Sequence, residues 1–521
     1  TMRYRYLLFI AFLLPAFVFR DYTPDNELRY ISIIEEALRN NTWFTFFNHG
    51  EIYADKPPLY FWLLMFVRMV FGSCPLWAAG LFSLLPAVGI LAVMDRWMRS
   101  EGRGHNPLVS ETMLMSTGMF LGSALVLRMD MLMAFFIVLS LYTFFRMYRG
   151  TGRPSDRWLF PVWIFLAVFT KGPMGFLIPL VSVTVFLLFQ KKIRTFGRYL
   201  GWKQWAILLG LCAAWFLLIY LEGGKEYLNN ILFKQTVGRG INSFHHKEPF
   251  WYYLQHLPLT FAPWSLLYVA VLGIAAWKRR FTSETERFFL TVIVANFVLL
   301  SFISSKLDIY LLPVYPFVAY LTSMQLDRQG ATLVSKICVA APAAVFFLLF
   351  PAFFCFRSMI PFPYENLSMV YVGLAVLSVG GVTALVYLWK NNLNGAITVA
   401  SLGLLSMVFI ASFAIPQFNR EIGFRAMAEE GRRIADDTGA DSYAFYKFRN
   451  AADMDIYLRA PLTEVSSVAR LDSLAGGNAA TVLFIRNREV RREPELETWL
   501  GKRKALETVG DYRIYLIGGG F

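Results

Sequence analysis

Apolar runs follow one another from residue 4 to residue 415, each about as long as the stretch a helix needs to cross a bilayer. They fall at 4–19, 75–97, 108–127, 129–148, 156–170, 172–190, 203–221, 258–277, 286–303, 307–325, 332–355, 368–389 and 394–415. Backbone groups in lipid must be satisfied within the segment, so these runs are expected to be helices. The composition agrees: 56% of the 521 residues are hydrophobic and 17% charged, where a soluble domain carries about 25% charge. A purely soluble enzyme, a disordered chain and a small disulfide scaffold are thereby excluded. The four cysteines are far apart, with no CxxC or zinc spacing.

The net charge of +14 would suggest nucleic acid in a soluble protein. Here the Lys and Arg residues sit in short clusters between apolar runs, as the positive-inside rule requires. With the N-terminus inside, Arg96, Arg99 and Arg103 fall on the inner side, as do Arg146, Arg149, Arg153 and Arg157, then Lys191, Lys192, Arg194 and Arg198, then Lys278, Arg279 and Arg280. The alternation holds only if the short run 57–72, with Arg68 in its middle, does not span. It is therefore expected as an amphipathic helix at the outer interface. Thirteen spans follow, with the C-terminus outside. The expected fold is thus a polytopic α-helical membrane protein with about 13 transmembrane helices, outer amphipathic helices and a small C-terminal α/β periplasmic domain. The membrane domain is placed at 1–416, with its first outer loop at 21–74, and the outer domain at 417–521. In the latter, a helix is expected from Arg425 to Asp436 and strands at Tyr443–Phe448, Thr481–Ile485 and Tyr512–Ile517, with turns at Gly476-Gly477 and Pro494.

In this topology several polar constellations share the outer side. They are Asp25, Asn26, Glu27, Arg29 and Tyr30; Tyr53-Ala-Asp55-Lys56-Pro57-Pro58; Arg128-Met-Asp130; Thr170-Lys171-Gly172-Pro173; His245-His246-Lys247-Glu248-Pro249; and Ser304-Ser305-Lys306-Leu-Asp308-Ile-Tyr310. Charges at membrane depth are costly, and their convergence points to a site. Arg29, Lys56, Lys171 and Lys306 suit an anion, most naturally a phosphate. Asp25, Glu27 and Asp130 suit a base or the stabilisation of developing positive charge. Phosphate binding beside carboxylates at a lipid interface suits glycosyl transfer from a lipid-phosphate carrier, in which a phosphate leaves and the sugar becomes oxocarbenium-like.

These motifs, in this order, resemble the aminoarabinose transferase (ArnT) family, membrane glycosyltransferases of the C superfamily related to protein O-mannosyltransferases. The resemblance implies a sugar donor on undecaprenyl phosphate or a similar polyprenyl phosphate. It implies as acceptor lipid A or another membrane glycolipid, or else a protein or another glycan. The topology itself, with the active face outward, points to a bacterial inner membrane and the periplasm. The resemblance implies that Arg29, Lys56 and Tyr310 hold the donor phosphate, that Asp130 and either Asp25 or Glu27 are the catalytic carboxylates, and that Asp55 and His246 bind a divalent metal, zinc in this family. Tyr30 and Tyr53 are expected to line the substrate site. The sequence departs from the family's Asp-Glu-x-Arg-Tyr pattern at Asn26, which leaves Asp25 and Glu27 as alternatives for one acid. A flippase or transporter of lipid-linked sugars is the rival reading; it would place polar residues in mid-span.

Overall fold

The computed structural model describes residues 2–101, 106–237, 248–359 and 366–519. Each apolar run among them is helical, yet not every run is one long span. Among the described residues, eight helices are long and apolar enough to cross a membrane, or up to ten when two bent pairs are each counted as one. The thirteen-span expectation therefore differs from the lengths observed, for three reasons. Run 108–127 breaks at Ser116–Thr117 into Pro107–Met115 and Gly118–Ala124. Run 258–277 bends by 119° between Tyr252–Thr260 and Ser265–Trp277. Runs 156–170 and 172–190 become helices of 16 residues each, about 24 Å long at 1.5 Å per residue. Hydrophobicity marks a run as lipid-compatible; it does not tell a full span from a short helix wedged between others.

The elements that build the outer end come early in the chain. Helix α1 (Met2–Phe19) leads through one wide turn, Pro24–Leu28, into amphipathic α2 (Arg29–Asn40); the two arms meet at 81°. A tight hairpin follows, with β1 (Phe47–Asn48) antiparallel to β2 (Glu51–Ile52). Its turn residues His49 and Gly50 both have positive φ, the geometry of a two-residue primed turn. Helix α3 (Leu59–Phe71) has 13 residues, about 20 Å, too short to span alone. It buries Tyr60, Phe61, Leu64 and Met65 and exposes Phe66, Met69 and Val70. Arg68, paired with Glu35 of α2, sits among the exposed residues. This is the interfacial character expected from sequence.

Helices α4 (Leu76–Ser100), α5 (Pro107–Met115), α6 (Gly118–Ala124), α7 (Asp130–Tyr148), α8 (Asp156–Lys171) and α9 (Met174–Phe189) form the centre of the bundle. The α8–α9 pair is joined by the turn Gly172-Pro173, where Gly172 has φ +100°. A Cβ on Gly175 would lie 2.3 Å from the Ala167 carbonyl carbon. Only hydrogen fits between the two backbones. Gly175→Ala is expected to destabilise the bundle by about 1–3 kcal/mol, read as a lower thermal midpoint in detergent.

Ion pairs collect at both ends of the bundle. Arg5–Glu111, Arg146–Asp156 and Arg149–Glu284 lie at the end away from the outer loops. At the other end sits the C-terminal domain. It has a mixed five-stranded sheet, β4-β3-β5-β7-β6, where β3 is Ser442–Tyr446, β4 Leu462–Val465, β5 Thr481–Arg486, β6 Glu507–Val509 and β7 Tyr512–Ile517. β3 runs parallel to β4 and β5, and β7 is antiparallel to β5 and β6. Three strands and the helix Arg425–Thr438 match expectation within two residues. The short edge strands β4 and β6 and the helices at 468–475, 487–492 and 494–500 were not expected. The expected domain boundary at 416/417 falls inside a helix, Ile415–Ile422.

The two sheet faces differ. Phe445, Phe484 and Ile514 join Phe424, Met427 and the membrane-domain residues in one continuous apolar core. Ala444, Leu483, Tyr515 and Ile517 point the other way, into a separate core with Leu496, Trp499 and Leu500.

Candidate active site

The outer loops converge because buried polar groups tie them together. Glu27 is fully buried. Its carboxylate accepts from both Arg20 guanidinium nitrogens at 2.6 and 2.8 Å, from the backbone and hydroxyl of Thr23 at 2.8 and 2.9 Å, and from the Leu127 N–H at 2.8 Å. The wide turn after α1 is thereby clamped to the segment that presents Arg128 and Asp130. Glu222 plays the same part for the second half of the loop, accepting from the N–H groups of Trp43, Phe44 and Thr45 at 2.8, 2.8 and 2.6 Å. Tyr227 then accepts the Phe46 N–H and donates to the Tyr53 carbonyl, both at 3.0 Å.

Asp130 opens α7 and is 1% exposed. The Lys171 ammonium bonds directly to its Oδ1, and Arg128 Nε donates to Oδ2 at 3.2 Å. Lys171 Nζ also lies 5.1 Å from the Tyr310 ring centroid. Beside this cluster opens a cavity of about 780 Å³. Its polar mouth is lined by Asp55, Lys56, Lys171, Ser305 and Tyr310. Its long wall is apolar, from Phe176 and Leu177 on α9 and from Trp205, Leu209, Trp215 and Phe216 on the helix Trp202–Asn229. Cations at the mouth and hydrocarbon beyond suit an amphiphile with an anionic head.

Of the residues expected at the site, Asp55, Lys56, Lys171 and Tyr310 line the cavity, and Asp130 is bonded to one of them. Tyr30 is buried beneath the loop, edge-on to Phe61 at 5.6 Å, and Tyr53 packs edge-on to the same ring at 6.1 Å. Four residues lie elsewhere. Glu27 spends its lone pairs on the clamp just described. Arg29 donates to Asn450 Oδ1 at 2.6 Å, in the C-terminal domain. Asp25 is exposed on the same turn and accepts from Asn450 Nδ2 at 3.2 Å. Lys306 is 3% exposed and donates to the Glu248 and Ile303 carbonyls at 2.8 and 2.7 Å, so it ties two loops together. Burial lowers its pKa. His246 lies outside the described residues. Among the described residues no group of three or more His, Cys, Asp or Glu is placed to hold a metal. An Asp–His pair supplies two of the four ligands that close a zinc site.

Arg128 entered the sequence reading only as a neighbour of Asp130. Its half-exposed guanidinium now stands beside the catalytic candidate. The signal was a second charge two residues from the first at a helix start. Nothing in the local sequence marked the apolar cavity wall, because Trp205 to Phe216 reads as an ordinary lipid-facing run.

The loop is also latched to the C-terminal domain. His49, at the hairpin tip, bonds Asp453 Oδ1 at 2.9 Å through Nε2 and lies 3.8 Å from Asp455 Oδ2 through Nδ1. Ser32 Oγ is 3.4 Å away. The Asp453 hydrogen bond, with the charges of Asp455, Asp453 and Glu36, raises the imidazole pKa above 6.5 against the opposing effect of burial. A raised folded-state value means the latch is at full strength below about pH 6.5 and weakens as pH climbs through the raised value. Hydrogen exchange of hairpin amides should therefore quicken with pH more steeply than intrinsic exchange does. His49→Gln should remove that extra slope.

The described residues thus form a multi-helix bundle with a cleft that has a cationic mouth and an apolar wall, and a small α/β domain at the same end. Residues 5–225 match the family model "Dolichyl-phosphate-mannose-protein mannosyltransferase". The chain is 26% identical over 318 residues to the undecaprenyl phosphate-alpha-4-amino-4-deoxy-L-arabinose arabinosyl transferase of Pseudomonas savastanoi, covering 58% of this chain and 57% of that one. It is 28% identical over 315 residues to an uncharacterized protein of Aquifex aeolicus, covering 60% and 61%. These matches thus span less than two thirds of either relative's length. The crystal structure of ArnT from Cupriavidus metallidurans bound to undecaprenyl phosphate superposes with a TM-score of 0.75 at 18% identity, covering 98% of this chain and 97% of that one. In fold, then, the chain is similar to ArnT.

Proposed function

We propose that this protein is a glycosyltransferase that moves a sugar from a polyprenyl phosphate, undecaprenyl phosphate by analogy with its relatives, to an acceptor on the outer face of a bacterial inner membrane. The cleft carries the reading: a cationic mouth continuous with an apolar wall suits a phosphate at the head of a long isoprenoid. Lys56 and Tyr310 hold the phosphate, with Arg128 and Lys171 adding positive potential. As the anomeric C–O bond breaks, its electron pair goes to the phosphate oxygen, which leaves as polyprenyl phosphate beside the cations. The acceptor oxygen bonds to the anomeric carbon. Asp130, paired with Lys171 and Arg128, stabilises positive charge developing on the sugar. Where the acceptor is a hydroxyl, its proton passes to Asp130. Lipid A or another membrane glycolipid is the acceptor this reading favours, with a protein hydroxyl as the second choice. Location in the inner membrane with this end in the periplasm follows from the basic clusters at the opposite end.

The test is Lys56→Ala. Loss of donor use by about 10²-fold, with the detergent melting curve unchanged, is expected. Near-normal transfer by the folded variant would overturn the scheme. Mass spectrometry of lipid A and glycoproteins from cells with and without the protein identifies the acceptor. Carrier flipping without transfer would favour the transporter reading instead.

A further inference from the structure

The C-terminal domain holds a second cavity, of about 750 Å³, between β6–β7 and the helices Asn487–Arg492 and Pro494–Leu500. It opens on the sheet face that bears Tyr515, opposite the face fused to the membrane core. It is therefore separate from the cleft described above. Arg491, Arg503 and Arg513 line it together with a single carboxylate, Glu497.

Three arginines with one acid is an unbalanced set, and their other contacts do not balance it. Among the described residues, neither Arg503 nor Arg513 takes part in an ion pair. Arg491 reaches Asp511 only at 3.8 Å, while Arg486 holds the same carboxylate at 2.9 Å. Arg503 is nonetheless fixed: its guanidinium lies 3.6 Å from the Trp499 ring centroid and donates to the Trp499 carbonyl at 3.1 Å. Trp499 is in turn held by Asp472. The backbone of Arg513 is placed by the sheet, in register with Thr508 and Ile485, so of the three arginines Arg503 is the one whose guanidinium is held. A guanidinium whose position is set in advance loses little freedom on binding, and its planar fork matches an oxyanion.

The volume is that of a small-molecule site and exceeds what a lone inorganic ion fills. The remaining lining is mixed. Asn487 offers an amide to hydroxyls, Glu497 accepts from them, and the buried Tyr515 gives an apolar floor. We propose that this cleft binds a phosphate-bearing saccharide, with the arginines on the phosphate and Asn487 and Glu497 on the sugar hydroxyls. The proposal is independent of the transfer reaction.

The test uses the full chain in detergent, titrated with glucose 1-phosphate, glucose, inorganic phosphate and lipid A micelles. The variant is Arg491→Gln/Arg513→Gln, which leaves the Arg503–Trp499 stack in place. Saturable binding of glucose 1-phosphate, weakened at least tenfold in the variant and absent for glucose, is expected. Binding of lipid A alone, lost in the variant, would support the site and place the phosphate on a lipid headgroup. Inorganic phosphate binding as tightly as the sugar phosphate would overturn the saccharide assignment. No binding of any phosphate compound, or binding unchanged in a variant that melts like the parent, would overturn the site.

Discussion

Asp130→Asn is expected to lower sugar transfer by about 10²-fold or more and to destabilise the protein as well. The two effects have different origins and can be separated. Asp130 is the carboxylate between Lys171 and Arg128, and the Lys171 side chain is only 8% exposed. Removing the acid leaves a buried ammonium without its counter-charge, at a cost of about 3–5 kcal/mol. Lys171→Met added to the same variant removes the stranded cation, and thermal stability should return most of the way. Transfer should not return, because a neutral amide cannot stabilise positive charge on the sugar. The two sites touch, so the stabilities should be strongly non-additive. A stable double variant with transfer near the parent level would eliminate Asp130 from the chemistry.

The largest purely structural effect is expected at Glu27. Its carboxylate accepts from Arg20, Thr23 and Leu127 while fully buried. Glu27→Ala strands the Arg20 guanidinium and two backbone N–H groups, again about 3–5 kcal/mol. A lower melting point in detergent and faster proteolysis of the loop at 21–58 are the measurements. Glu27→Gln keeps the shape and part of the bonding, so it should fall between the parent and the alanine variant. A catalytic glutamate would behave otherwise, with transfer abolished in Glu27→Gln and melting unmoved. That contrast tests the choice left open by Asn26; Glu27 is fully buried in the clamp, while Asp25 is exposed.

These residues show how far the sequence could be read. The helical runs were legible because lipid imposes one solution on backbone hydrogen bonding. Gathering of the charged motifs at one end followed from alternation of the basic loops. Strands β3, β5 and β7 were legible because β-branched and aromatic residues concentrate in them. What escaped depends on distant partners. Nothing around Glu27 discloses that Leu127, a hundred positions away, would donate to it. Nothing around Arg29 discloses that Asn450, in the C-terminal domain, would accept from its guanidinium. The break at Ser116–Thr117 was hidden because the Trp264 indole, which donates to Ser116 Oγ at 2.8 Å, lies far along the chain.

The seam between loop and outer domain has a practical consequence. Asp21 accepts from the Arg425 N–H and the Tyr457 hydroxyl, both at 3.1 Å, Arg29 grips Asn450, and His49 grips Asp453. The strand of chain that delivers Lys56 to its place is thus moulded against residues 425–457. Trimming the protein back to its helical bundle would remove the template on which that strand is cast, and the shortened molecule would lose its cleft along with its tail.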